Sequence, residues 1–179
     1  MSWSLLCVAL YLSWCCGAVA ATLETRYYDV QLYPEFDMYT AIERLRDVPV
    51  ARYELLNETP QGPRDIFAGM LDAVYLHACE TLDIHMTSFR IRLEVLPDAA
   101  AVGQAVERFL GFVRQTPSFY HRDTNTIYIS GADLRSGILA HETGHAVINH
   151  YFVVPPPEKM QEVLCGYVEY SLMRDSVKE

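Results

Sequence analysis

His141-Glu142-Thr143-Gly144-His145 sets two imidazoles four residues apart, with a carboxylate next to the first. Ile138-Leu139-Ala140 before it and Ala146-Val147-Ile148 after it give a buried helix, beginning near Asp133 or Ser136. Residues four apart share a helix face, so His141 and His145 are candidate ligands of one metal ion. Glu142, one step round the helix, reaches a water on that ion but is poorly placed to ligate it. It is the candidate general base, and zinc would bring the pKa of the water toward neutrality so that it attacks a carbonyl. Gly144 costs a helix about 1 kcal/mol relative to Ala, which points to a close approach at this place.

A catalytic zinc takes a third protein ligand and keeps a position open for water. A histidine third ligand in the pattern H-E-x-x-H-x-x-G-x-x-H needs Gly at 148 and His at 151, where the chain has Ile148 and Tyr151. His150 is one residue out of register and reads as a helix-end or surface histidine. A carboxylate ligand fits better. Pro155-Pro156-Pro157 ends the first helix, and a second, running over 158–174, returns antiparallel to it. Glu162, Gly166 and Glu169 form one stripe on that helix, Gly166 being small enough to admit a close neighbour. Glu162 is the candidate third ligand, and Glu169 the carboxylate that holds the ring N–H of a ligand histidine.

The elements that must position these groups follow from apolar spacing. Residues 25–33 read as a first strand or an extended arm ending at Pro34, and Ile66, Met70, Ala73, Val74, His77 and Ala78 mark a helix over 64–82, with His77 a core residue. Phe89, Ile91, Leu93 and Val95 alternate with Arg90, Arg92 and Glu94 as a half-buried strand stopped by Pro97, and a helix spans 99–113. Residues 118–130 form a hairpin around Arg122-Asp123-Thr124-Asn125, at a sheet edge where the strand Thr126 to Ser130 is available to an extended peptide. The class is α+β: a small, mainly antiparallel or mixed sheet packed on helices, with a cleft between its edge strand and the histidine helix.

The chain has 179 residues, 51% of them apolar, and a formal charge of -9, which suits one compact domain. That acidity disfavours nucleic acid and anionic lipid, and a cationic substrate or peptide is better tolerated. Residues 1–20 differ from the rest: an apolar run without a preceding Lys or Arg, then Ala18-Val19-Ala20, the order of a secretory signal peptide cleaved after Ala20. Secretion or a periplasmic location is expected, and membrane attachment only through an uncleaved N-terminal segment. Cleavage leaves Cys79 and Cys165, as one bridge or two buried thiols. The domain reading is a signal peptide at 1–20, an N-terminal extension of unknown role at 21–61, and the metal-binding domain at 62–179.

His141-Glu142-x-x-His145, a short loop, and the helix Gln161-Glu162-Val163-Leu164-Cys165-Gly166-Tyr167-Val168-Glu169-Tyr170 resemble the gluzincin metallopeptidases, most of all the minigluzincins and related M-A-like peptidases. The resemblance covers 64–174 and implies a zincin-like fold, a bound zinc ion, and hydrolysis of peptide or protein substrates held extended. Those families often read Glu-Gly-x-Ala-x-Tyr on the second helix, with the ligand Glu just before Gly. Here Cys165 precedes Gly166, so alignment on the glycine gives Cys165 as a thiolate ligand, and alignment on a carboxylate gives Glu162 one turn earlier. A thiolate site would be structural or inhibited. Such chemistry also needs a second donor for the oxyanion, for which Tyr167, Tyr170 and His121 are candidates. Beside the zinc metallopeptidase stand three other readings: an inactive peptide-binding or envelope-assembly module, a zinc hydrolase of other amides or esters, and a latent protease covered by residues 22–61.

Overall fold

The computed structural model describes residues 21–50, 62–86, 88–112 and 114–176. The expected signal peptide at 1–20 and the 51–61 part of the expected extension lie outside the described residues. The order is β1 (Ala21–Glu24), β2 (Tyr28–Leu32), α1 (Met38–Arg44), α2 (Pro63–Thr81), β3 (Ile91–Leu96), α3 (Ala99–Leu110), β4 (Ser118–His121), β5 (Thr126–Ser130), α4 (Ser136–Tyr151) and α5 (Glu158–Ser176). The fold is α+β, with a mixed five-stranded sheet in the order β1-β2-β3-β5-β4. The central pairs β2/β3 and β3/β5 are parallel, and the outer pairs β1/β2 and β4/β5 antiparallel.

Alternation builds the layers. Tyr28, Val30 and Leu32 on β2 and Ile91, Leu93 and Val95 on β3 turn into the main core, where α2 and α4 lie; Asp29, Gln31 and Arg92 turn away from it. β5 is buried on both faces: Ile127 and Ile129 join the main core, while Tyr128 meets Val102 and Ala105 of α3 on the other side. Each such aliphatic side chain contributes roughly 1.5–3 kcal/mol by leaving water. α3 is held at both ends, by the Asp98 carboxylate accepting from Ala101 N–H and by Gly111 at φ 74°, a left-handed cap that favours glycine.

The strand expected over 25–33 is β2, and the expectation lacked the strand before it: β1 and β2 form a hairpin, because the Thr25 hydroxyl accepts N–H bonds from Tyr27 and Tyr28 and folds the chain back. Asp72 of α2 then accepts from Thr25 Oγ1 at 2.6 Å and from the N–H groups of Arg26 and Tyr27, which pins the turn to the helix layer. Residues 21–50 of the expected extension thus supply two strands and α1 to the same sheet-and-helix body. α1 escapes a reading of apolar period because it is seven residues long, capped by Asp37, with only Ala41 buried.

A second correction concerns the edge. β5 lies between β3 and β4, so Thr126 to Ser130 is interior, and the edge strand of this hairpin is β4. A third concerns which glycine lets the last two helices meet. A β-carbon on Gly166 would meet nothing within 4 Å, whereas one on Gly144 would stand 3.1 Å from Cys165 Sγ and 3.4 Å from Cys165 Cα. The close approach is therefore made by α4. Cys79 and Cys165 are both free, buried thiols.

This contact gives a paired expectation for urea unfolding of the full chain. Gly144→Val should lose about 2–3 kcal/mol, since it drives a branched side chain into buried Cys165. Gly166→Ala should be neutral or gain up to about 1 kcal/mol from helix propensity. Equal losses at both positions would contradict the packing described.

Candidate metal centre

α4 brings the sequence motif up against β4 and α5. His141 and His145 stand one turn apart with ring centroids 5.1 Å from each other. Across from them, α5 presents Glu162: its Oε2 is 3.5 Å from His141 Nε2, and its Oε1 is 3.4 Å from His145 Nε2. These separations are long for hydrogen bonds. Each is close to the ~3.4 Å that separates two ligands roughly 2.0–2.1 Å from one zinc ion, with His141 and His145 facing different oxygens of the carboxylate. His141, His145 and Glu162 are the one group of this kind among the described residues, with ligand atoms all within 4.8 Å of one another. Two imidazole nitrogens and a carboxylate oxygen suit a first-row divalent ion.

The far side of each ring is also held. His141 Nδ1 lies 3.4 Å from Glu169 Oε2, the place anticipated for that carboxylate. His145 Nδ1 faces Gln161 Oε1, also at 3.4 Å, a partner that sequence reasoning missed. Gln161 is itself fixed: its Oε1 accepts from Asn149 Nδ2 at 2.7 Å, and its Nε2 donates to the Pro156 carbonyl at 2.8 Å. Asn149 also donates to the His145 carbonyl. Its position four residues after His145, on the same helix face, was the signal available for it.

Glu142 is buried, and its Oε1 accepts a 2.7 Å bond from Ser118 Oγ on β4. Burial raises its carboxyl above the usual range, opposed by the Ser118 hydroxyl and by the His145 and His141 rings. Ser118 carries no motif. Only the phase of the edge strand, which turns its side chain toward α4, could have revealed it. A further buried bond, between Tyr28 Oη and Thr143 Oγ1 at 2.9 Å, ties β2 to the residue after Glu142, and Thr143 Oγ1 donates to the Leu139 carbonyl.

An open cleft of about 370 Å³ fronts the group, lined on the sheet side by Ser118, Phe119, Tyr120 and Arg122 and on the helix side by Asn149, Glu158, Gln161 and Glu162. Tyr120 donates its hydroxyl to Asn125 Oδ1, and burial pushes that phenol up to about 12. None of residues 21–50 lines this cleft.

Several expected residues stand elsewhere. His121 stacks on Phe109 at 4.2 Å and bonds Thr124 through Nδ1, because alternation along β4 turns it to the α3 side. Tyr167 and Tyr170 are exposed on α5 and do not line the cleft. Cys165 faces Gly144 and lies outside the three-ligand group; burial, with Glu142 and Glu162 nearby, holds its thiol far above the usual range. His150 and His77 stand as expected: His150 is exposed in the last turn of α4, stacked on Phe89 at 3.7 Å, and His77 bonds Ser171 in the core. Comparison of the chain with family models, with curated proteins and with solved structures finds no match.

Glu169→Ala and Gln161→Ala should each weaken zinc binding by about 10-fold to 100-fold in a chelator competition titration. The metal-free protein should change by less than about 1 kcal/mol in the same variants. Unchanged zinc affinity in both would show that neither side chain orients its ring.

Proposed function

We propose that the protein is a zinc metallopeptidase of the gluzincin kind, secreted or periplasmic, that hydrolyses peptide bonds with Glu142 as general base. The observation that carries this reading is the convergence of His141 Nε2, His145 Nε2 and the Glu162 carboxylate, ligand atoms within 4.8 Å of one another, beside the buried Glu142 carboxylate. That convergence offers a usable third ligand, which favours catalysis over an inactive binding module. The metal held by these residues would supply Lewis acidity toward a substrate carbonyl and a lowered pKa for water.

The remaining work falls to this chain's own groups. Ser118 Oγ occupies Glu142 Oε1, which leaves Oε2 to take a proton from the attacking water and deliver it to the leaving amine. A carboxyl raised by burial is suited to both transfers. The free edge of β4 supplies a track for the substrate main chain. Pro117 O accepts from Ser130 N–H, so by antiparallel alternation the Phe119 and His121 backbones face β5, and those of Ser118 and Tyr120 face outward. The Ser118 carbonyl is taken by Thr116 Oγ1, which leaves the Ser118 N–H and both groups of Tyr120 for an added strand. Tyr167 and His121 do not enter this cleft, so the oxyanion role expected of them is not part of the proposal. Hydrolysis of another amide would use the same groups, and the outward-facing backbone groups of Ser118 and Tyr120 favour a peptide.

One zinc per chain is expected in the purified protein by metal analysis. Glu142→Gln should keep the metal and lower peptide hydrolysis by about 10²–10⁴-fold. Glu162→Ala should lose the metal, and Cys165→Ala should keep it. A wild-type protein without metal, or loss of metal only in Cys165→Ala, would overturn the reading.

A further inference from the structure

The wall of the cleft built on β4 carries charge opposite to that of the chain as a whole. Arg114 and Arg122, four residues before and four after Ser118, both line the cleft and are both exposed. Among the described residues neither guanidinium is ion-paired with a carboxylate, whereas Arg46 pairs with Asp47, and Arg90 with Asp29 and Glu24. The two arginines bracket β4, whose first residue, Ser118, touches Glu142. On the facing wall, Glu162 is turned to the imidazoles, and Glu158, in the first turn of α5, is the acid left at the rim.

The net charge of -9 favours a cationic ligand at long range. Within the cleft the nearest charges decide, because the Debye length is about 8 Å at physiological salt. An extended chain has its side chains spaced at roughly 3.3 Å per residue, so one laid along β4 spans from one arginine toward the other. Arginine also matches a carboxylate with two parallel N–H donors, a geometry that selects anions of that shape.

We propose that the cleft selects acidic peptides, bound extended along β4 with Asp or Glu side chains on either side of the bond presented to Glu142, one carboxylate on Arg114 and another on Arg122. This rests on the peptidase reading for what happens to the bound chain, but not for the binding itself. The arginines are specificity residues, and the field of the remaining acidic surface acts on encounter more than on the bound complex.

The test separates binding from cleavage. Zinc-loaded Glu142→Gln full-length chain is immobilised, a proteome-derived peptide library is passed over it at about 0.15 M salt, and the retained peptides are sequenced by mass spectrometry. Asp and Glu should be enriched on both sides of a fixed centre. Arg114→Gln and Arg122→Gln, added singly, should each cut retention of the acidic set about twofold to fivefold and erase the enrichment on one side only. Thermal melts report whether the variants remain folded. Enrichment of basic residues, no charge preference, or an acidic preference untouched by both substitutions would overturn the inference. Acidic peptides that are retained but left intact by the wild-type protein would keep it, and would sink the peptidase reading instead.

Discussion

Gly144 and Cys165 meet where α4 and α5 cross, the sulfur 3.1 Å from where a β-carbon would stand. That contact fixes how near the two helices lie, and the distance between the imidazoles and Glu162 follows from it. A side chain at 144 would push α5 outward and open the 3.4–3.5 Å spacings between the imidazoles and Glu162. The helix-propensity cost of glycine, about 1 kcal/mol, is small beside a chelate site that the approach makes possible. Gly137, one turn earlier than His141, lies against the Glu169 side chain in the same way, so small residues on α4 let the Glu162 and Glu169 stretch of α5 come close.

The sheet contributes through register. β4 is antiparallel to β5, and this pairing turns Ser118 to Glu142 while sending His121 to the α3 face. β2 reaches the same helix from within the core, through the Tyr28–Thr143 bond. Each acting group is thereby held by an element other than its own: Glu142 by β4, and the two histidines by α5. Orientation from several elements is what a site needs if it is to avoid reorganising when it works.

What was legible in the sequence depended on range. His141, Glu142 and His145 are one helical turn, and the helices over 64–82 and 158–174 are long periodic runs, so local spacing placed them to within a residue or two. Glu162 was reachable because it shares a stripe with Glu169 on a helix forced to return by three prolines. Ligand type favoured it over Cys165, and the helix rotation that turns Cys165 to Gly144 is a tertiary contact with no local signal. Ser118 and Gln161 carry no motif of their own: each meets its partner on a different element, and only strand phase or helix rotation decides which way its side chain points. The β1/β2 hairpin depended on one threonine hydroxyl and on Asp72, forty-seven residues from that threonine.

X-ray absorption on the zinc-loaded full chain tests the central claim most directly, because it reads the donor atoms themselves. Coordination by His141, His145 and Glu162 requires a first shell of nitrogen and oxygen only, at about 2.0–2.1 Å, with the outer-shell signature of two imidazoles. A sulfur shell near roughly 2.3 Å would place Cys165 on the metal and contradict the account of how α5 is turned.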